Sequence, residues 1–412
     1  MSDSISPGDS GQEINQSDHY LWWIALPLLT GAALSHALML RGFPVLYPFI
    51  QDEFGLSRAQ LGLITSAMAI GFAAVVLLAG WLTDNFGVKR MITISLLSVA
   101  AFTLAFPLAY SLPITLALAA FIGIATSPVH LANATAIMDW FPHRIRGLAM
   151  SIMQMGMPIS GTLTAAVLPA LAILLGWRMS AAITGLVVLV NAIVFILLYR
   201  DAPRNIKSVR KFNLATLKTI LRNRDLGITI FWGAVFTGLQ RVVLSYFILF
   251  AIEELGFSPI MAGGLLAIAQ VCSIVARLSW GAASDFIFHG RRAVLAITGF
   301  LTVLWMLGAS LAGVGVPNTT VYLIAIVIGI STLSFHGVFH TLIAEQAKAG
   351  QVGMTMGVAS TANQVSQTIM PPVFGYLVDV TSSYSLAWRA TAAVALVCTL
   401  VLLAFGREPQ RR

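Results

Sequence analysis

Apolar stretches of about 20 residues, each long enough to cross a hydrocarbon layer roughly 30 Å thick as a helix, recur from one end of the chain to the other. Twelve are legible, centred near Ala33, Ile70, Ala100, Gly123, Ala165, Val190, Val235, Val271, Thr302, Val327, Thr368 and Val397. A backbone in hydrocarbon must satisfy its own N–H and C=O groups, which leaves helices for runs of this length. With 58% of its 412 residues hydrophobic and 10% charged, the chain lies outside the range of soluble globular domains. The expected fold class is an all-α membrane protein with twelve transmembrane helices, numbered 1 to 12 in chain order.

Charge orients the helices. The net charge of +8 is not a nucleic-acid signature, because its distribution follows the helices. Threading the 24 Lys and Arg through twelve spans puts eighteen on one side, three on the other (Arg58, Arg178, Arg389) and three at membrane depth. By the positive-inside bias, both termini and the basic segment 201–225 are expected in the cytosol, with that segment lying against anionic membrane lipid. Residues 1–19, polar and without Lys or Arg, match no secretory or transit signal and read as a disordered cytosolic tail; 407–412 form a second, short one. Cys272 and Cys398 fall within predicted helices and read as small apolar side chains.

The chain also repeats. A shift of 201 residues lays Glu53-Phe-Gly-Leu-Ser57 on Glu254-Leu-Gly-Phe-Ser258, and then Gly62 on Gly263, Gly80 on Gly281 and Asp84 on Asp285. A shift of 211 lays Trp177-Arg-Met-Ser-Ala-Ala182 on Trp388-Arg-Ala-Thr-Ala-Ala393. Two pseudo-symmetric six-helix bundles are expected, 20–200 and 226–406, joined by 201–225, with a substrate site between them near the midplane.

Between helices 2 and 3 the run Gly80-Trp-Leu-Thr-Asp84-Asn-Phe-Gly87-Val-Lys89-Arg90 resembles the signature loop of the major facilitator superfamily. Its second-half copy, Gly281-Ala-Ala-Ser-Asp285 through Arg291, departs from the pattern by two extra residues before its glycine. Asp139-Trp-Phe-Pro142 with Arg146-Gly147, and Pro372-Val-Phe-Gly375 through Asp379, are similar to other recurrent segments of the family. The resemblance covers residues 20 to 406. It implies alternating access, a monomer in the cell inner membrane, and a gating latch that here comprises Gly80, Asp84, Gly87, Lys89, Arg90, Gly281, Asp285 and Arg291. Gly80 is expected to let two helices pack closely.

Arg41, Arg241 and Arg277 are the three cations at membrane depth, and no Asp or Glu lies at comparable depth. A charge kept there faces a water-filled cavity, an oppositely charged ligand, or a helix carbonyl. Arg41 and Arg241 are pseudo-equivalent under the repeat, and Arg277 precedes Asp285 by eight residues, about 12 Å of helix. Since helices 1 and 7 line the cavity in the family, the two are expected to clamp one small anion from opposite halves through their planar forks. Arg277 is similar in position to an arginine of the monocarboxylate branch that is implied to bind the substrate carboxylate, although that branch has an Asp where this chain has Ser273. His36, His130 and His336 are candidates to bind substrate or to carry a coupled proton, with carbonyl-bonded helix histidines as the alternative. Asn133, Gln240, Asn363, Gln364 and Tyr246 complete the candidate substrate-binding set.

No Walker loop, nucleophile elbow or Cys/His metal spacing is present in the sequence, so neither enzyme chemistry nor a cofactor or metal is expected. The expected function is transport of a small organic anion, a carboxylate in the first instance, with protons or by facilitated diffusion. A drug or metabolite exporter, a nitrate or nitrite carrier and a transport-dead nutrient sensor are the alternatives.

Overall fold

The computed structural model describes residues 21–141, 145–201, 222–288, 290–348, 351–406 and 408. The expected tail 1–19, most of the 201–225 linker and most of the 407–412 tail lie outside the described residues, as does Pro142. Helix 1 (Leu26–Val45, continued by Tyr47–Phe54), helix 2 (Arg58–Phe86), helix 3 (Val88–Ala105), helix 4 (Leu112–Trp140), helix 5 (Arg146–Gln154 and Gly156–Leu175) and helix 6 (Trp177–Leu198) make the first set. Helix 7 (Arg224–Glu253), helix 8 (Pro259–Phe286), helix 9 (Arg291–Leu311), helix 10 (Asn318–Ile330 and His336–Gln346), helix 11 (Val352–Thr381) and helix 12 (Tyr384–Phe405) make the second.

Ten of the described helices are long and apolar enough to cross a membrane. The remaining two expected spans differ from that pattern for visible reasons. Helix 10 is unwound over 331–335, a run of Ser and Thr whose hydroxyls bond locally to the backbone and compete with the helix ladder. Helix 11 is continuous, but its Ser-Thr-Ala-Asn-Gln-Val-Ser-Gln run lowers its hydropathy.

The repeated letters of the sequence are helix punctuation. Gly55 and Gly256 end their helices with φ of 62° and 73°, a left-handed conformation that glycine takes at no steric cost. Ser57 and Ser258 then cap helices 2 and 8, accepting from the N–H groups of Gln60 and Met261. Packing repeats likewise. Helix 2 lies on 4, 1 on 5 and 3 on 6; helix 8 lies on 10, 7 on 11 and 9 on 12. The two sets meet along helices 2 and 11 and along helices 5 and 8. Gly62 and Gly263 hold those two seams: a Cβ on Gly62 would come within 2.6 Å of Pro372 Cα, and one on Gly263 within 2.6 Å of Pro169 Cγ.

At the face that carries the linker, each set is stapled to itself. Asp201, after helix 6, accepts from Lys89 N at the start of helix 3 (2.8 Å), while Glu408, after helix 12, accepts from Arg291 N and Arg292 N at the start of helix 9. At the far face, by contrast, the sets are tied to one another. Arg58 reaches Glu253 (2.7 Å), Asp379 (3.5 Å) and the Tyr384 hydroxyl (3.3 Å), and Asp379 accepts from Arg58 N and Ala59 N at 3.0 and 2.8 Å. An acid from helix 11 thus caps helix 2 across the seam, so this conformation is fastened at the far face.

Candidate functional site

Proline sets the chemistry of helix 1 near the midplane. Pro44 has no N–H, so the carbonyl four residues earlier, that of Leu40, loses its helical donor. Arg241 of helix 7 reaches that oxygen across the interface between the two sets, Nη1 to O 3.5 Å. The unwound segment of helix 10 exposes a second carbonyl, Leu333 O, which accepts from Arg277 Nη2 (3.0 Å) and Gln240 Nε2 (3.5 Å). Irregular backbone at membrane depth persists only where protein or a polar cavity surrounds it.

Arg41 lies beside Leu40 on helix 1 and is half-buried, and no hydrogen bond joins its guanidinium to a described residue. It lies within electrostatic reach of both Arg241 and Arg277, and His336 within reach of Arg277 and Arg41. Three helices therefore converge their arginines on one region. Among the described residues no Asp or Glu pairs with any of the three. Arg241 Nε, Arg277 Nε and His336 Nδ1 are buried with no protein partner. The two guanidinium N–H groups are donors costly to leave unmet, and with His336 Nδ1 in its N–H tautomer they describe the complement of an anion with several acceptor oxygens. An aromatic wall backs the group: Trp232 stacks on Phe236 (4.0 Å), Phe335 on His336 (4.2 Å), and the Trp232 indole N–H is itself unpartnered.

His36, His130 and Asn133 gather elsewhere, around a cavity of about 70 Å³ between helices 1, 4 and 5 that Gln154 also lines. His36 Nδ1 lies 3.2 Å from Ala32 O, and Asn133 Nδ2 donates to Leu29 O at 3.1 Å, leaving Asn133 Oδ1 unpartnered. His130 is exposed, with its ring against Phe72, and is an electrostatic neighbour of both His36 and His340. His36 is also within reach of Arg41, which links this cavity to the arginine group.

The remaining candidates divide. Asn363 is buried on helix 11 with Oδ1 unpartnered. Gln364 is spent on structure, its Nε2 3.5 Å from Ala69 O on helix 2 and its Oε1 accepting from Gln367. Tyr246 does not face the arginine group: its hydroxyl meets Arg58 O (2.8 Å) and Pro371 O (2.9 Å) inside the far-face fastening, a correction that follows from its lying only seven residues before Glu253. In the signature loops, Gly87 sits beside Asp201 and Lys89 N is bonded to it, while Arg90 is exposed. Nothing is described of the Asp84 side chain or the surroundings of Gly80. Arg291 pairs with Asp285 (2.7 Å) and Glu345 (3.2 Å) within the second set. A Cβ on Gly281 would meet nothing within 4 Å, whereas one on Gly62 or Gly263 would run into the opposite set.

Sequence reasoning missed the Arg58–Glu253–Asp379–Tyr384 junction. Its signal was present: Arg58 is one of three cations on the cation-poor side, directly after a helix-capping serine, where a partner carboxylate is to be sought.

Comparison with known proteins fits this geometry. The sequence profile described as Major Facilitator Superfamily matches residues 29–289 and again 230–412. The chain is similar to the "Hexuronate transporter" of Bacillus subtilis (strain 168), 22% identical over 87% of this chain and 89% of that one. It is also similar to the "Probable galactarate/D-glucarate transporter GarP" of Escherichia coli (strain K12), 25% identical over 86% and 88%. In fold it matches a solved bacterial homologue of the human lysosomal transporter Spinster, in an inward-facing and occupied conformation, with a TM-score of 0.77, 15% identity and coverage of 94% and 96%. The chain belongs to the major facilitator superfamily.

Proposed function

We propose that the protein is a secondary transporter of a small organic anion, a sugar acid or related carboxylate, taken up with protons by alternating access. One observation carries this reading: Arg41, Arg241 and Arg277 converge from three helices with no acidic partner among the described residues, and two of them have orphaned Nε atoms. The hexuronate and galactarate/D-glucarate transport named for two relatives supports an oxygen-rich anion. In this scheme residues 20–200 rock against 226–406. The anion draws Arg241 from Leu40 O and Arg277 from Leu333 O, neutralises the group and lowers the energy of the occluded state. Gln240, His336 and Asn363 complete the contacts, and the His36–His130–Asn133 cavity holds the part of the substrate remote from the carboxylate.

With no membrane carboxylate on hand, His130 and His340 are the groups through which a coupled proton passes. The linker face is cytosolic, with both termini on that side of the inner membrane, and the functional unit is a monomer. The Gly80–Arg90 and Gly281–Arg291 loops act as latches, the Asp285–Arg291–Glu345 pairs formed here exchanging partners when this face closes.

Thermal-shift titration of purified protein with glucarate, glucuronate, lactate, nitrate and lipophilic cations, repeated with Arg277→Ala, tests the reading. Stabilisation by a carboxylate that disappears in the variant is the expected result. Stabilisation by lipophilic cations alone would overturn it, and a response to nitrate alone would replace the substrate class.

A further inference from the structure

A cavity of about 370 Å³ opens at the linker face, between the first turn of helix 7 and the junction of helices 10 and 11. Arg222, Asn223, Gln346, Lys348, Gln351 and Thr355 supply its polar wall, and among the described residues no Asp or Glu lines it. Like the arginine group at the midplane, the cavity gathers cations without a carboxylate, whereas several other arginines have partners. Arg58, Arg178 and Arg291 meet carboxylates, and Arg146 and Arg292 are spent on carbonyl oxygens. Arg222 and Lys348 form no ion pair with a described residue. Two like charges bordering one hollow repel each other, and an anion between them turns that repulsion into attraction.

The neutral wall adds donors. Asn223 caps helix 7 through Oδ1, at 3.3 Å from Leu226 N, which leaves its amide N–H groups free to face the hollow. Helix 11 starts at the cavity with Gln351 as a cap that makes no side-chain bond to the first turn, so its free N–H groups and the positive end of its dipole border the same space. Cations, amide donors and a helix start around one hollow suit the several acceptor oxygens of a phosphate better than a single planar carboxylate.

We infer that this cavity binds a phosphate group, and that the headgroup of an anionic phospholipid supplies it. The argument for a lipid source is position. The cavity lies where three membrane helices begin or end, and basic pockets between helix ends at that level are built to take anionic headgroups. A headgroup here bridges helix 7 to the 10–11 junction within the second helix set. The inference does not depend on what the arginine group carries.

The test uses the full-length protein in detergent, titrated with short-chain phosphatidylglycerol, phosphatidylcholine or inorganic phosphate and read by native mass spectrometry and melting temperature. Three double variants accompany it: Arg222→Gln with Lys348→Gln, the charge-preserving Arg222→Lys with Lys348→Arg, and Arg204→Gln with Lys207→Gln in the linker. At about fivefold per cation near an anionic surface, the first should weaken phosphatidylglycerol binding by roughly 25-fold, whereas the second and third should keep most of it. Inorganic phosphate that binds wild type as tightly as the lipid, and fails to bind the first variant, would keep the site and make its source soluble. Equal affinity for the two lipids, or equal loss in the first and third variants, would overturn the proposal. The charge-preserving variant separates loss of binding from loss of fold.

Discussion

Replacing Asp379 with asparagine removes one charge from the junction that fastens the far face. Its carboxylate accepts from Arg58 N and Ala59 N at 3.0 and 2.8 Å and lies 3.5 Å from the Arg58 guanidinium. Hydrogen bonds to a charged group are worth about 1.5–3 kcal/mol each when well buried, and a helix cap about 1 kcal/mol. Both side chains are partly exposed, 29% for Arg58 and 21% for Asp379, and asparagine keeps one acceptor, so the loss is discounted to about 2 kcal/mol. All of it belongs to the conformation closed at the far face, because the contacts cross the seam between the halves. The ratio of closed to open molecules should therefore fall by roughly 30-fold. Spin labels at Asp52 and Ser382, one on each half and both exposed, report the opening as a longer distance in pulsed electron resonance, after Cys272 and Cys398 are replaced. Asp379→Glu should restore much of the short distance. An unchanged distance distribution in Asp379→Asn would refute the claim that this junction stabilises the closed face.

Arg277→Lys keeps the charge but not the planar fork, so substrate affinity should fall by tenfold or more while the melting temperature without substrate stays near wild type; equal uptake kinetics would remove Arg277 from the site. Gly62→Ala forces a methyl group against Pro372 and should destabilise the far-face-closed state by about 1–3 kcal/mol, whereas Gly281→Ala, with open space around it, should be silent in the same distance measurement. Glu53 gives a pH signature. The hydrogen bond from Arg178 holds its carboxyl below the usual value of 4.5 against the opposing effect of burial, with the Trp177 hydrogen bond adding to the depression. Its folded pKa is depressed, so its contribution to stability is full above that usual value and is lost as the pH falls through the folded value. Melting temperatures of wild type and Arg178→Ala should differ at neutral pH and converge in acid; a constant difference would show that the ion pair is not its source.

Much of the architecture was legible because membrane burial leaves a coarse, redundant signal. Apolar runs of fixed length give the helices, and the two echoes give the halves, since the repeated Gly and Ser letters are caps that any copy of the unit needs. The three arginines stood out for a related reason: a charge amid apolar letters is conspicuous. Cavity depth was harder to read. Tyr246 and Gln364 are as polar as Gln240, yet one fastens the far face and the other ties helix 11 to helix 2, because the direction of a side chain around a buried helix leaves no periodic trace when every face is covered. Helix 7 illustrates this, buried over 89% of its apolar window. The break in helix 10 escaped because its Ser-Thr run is tolerated in a continuous helix and unwinds only where Arg277 and Gln240 take up a freed carbonyl.

Three prolines at the seams have a consequence for how the halves part. Pro44, Pro169 and Pro372 each release the carbonyl four residues earlier, those of Leu40, Ala165 and Thr368. Each released oxygen faces the opposite half: Arg241 approaches the first, Gly263 lies against the second, and the Ser66 hydroxyl donates to the third at 2.5 Å. Separation of the halves hands these oxygens to water without breaking a rung of any helix. Hydrogen–deuterium exchange in the two conformations should accordingly find helices 1, 5 and 11 equally protected along their backbones, so that the transition is carried by rigid rods changing partners rather than by segments that melt and refreeze.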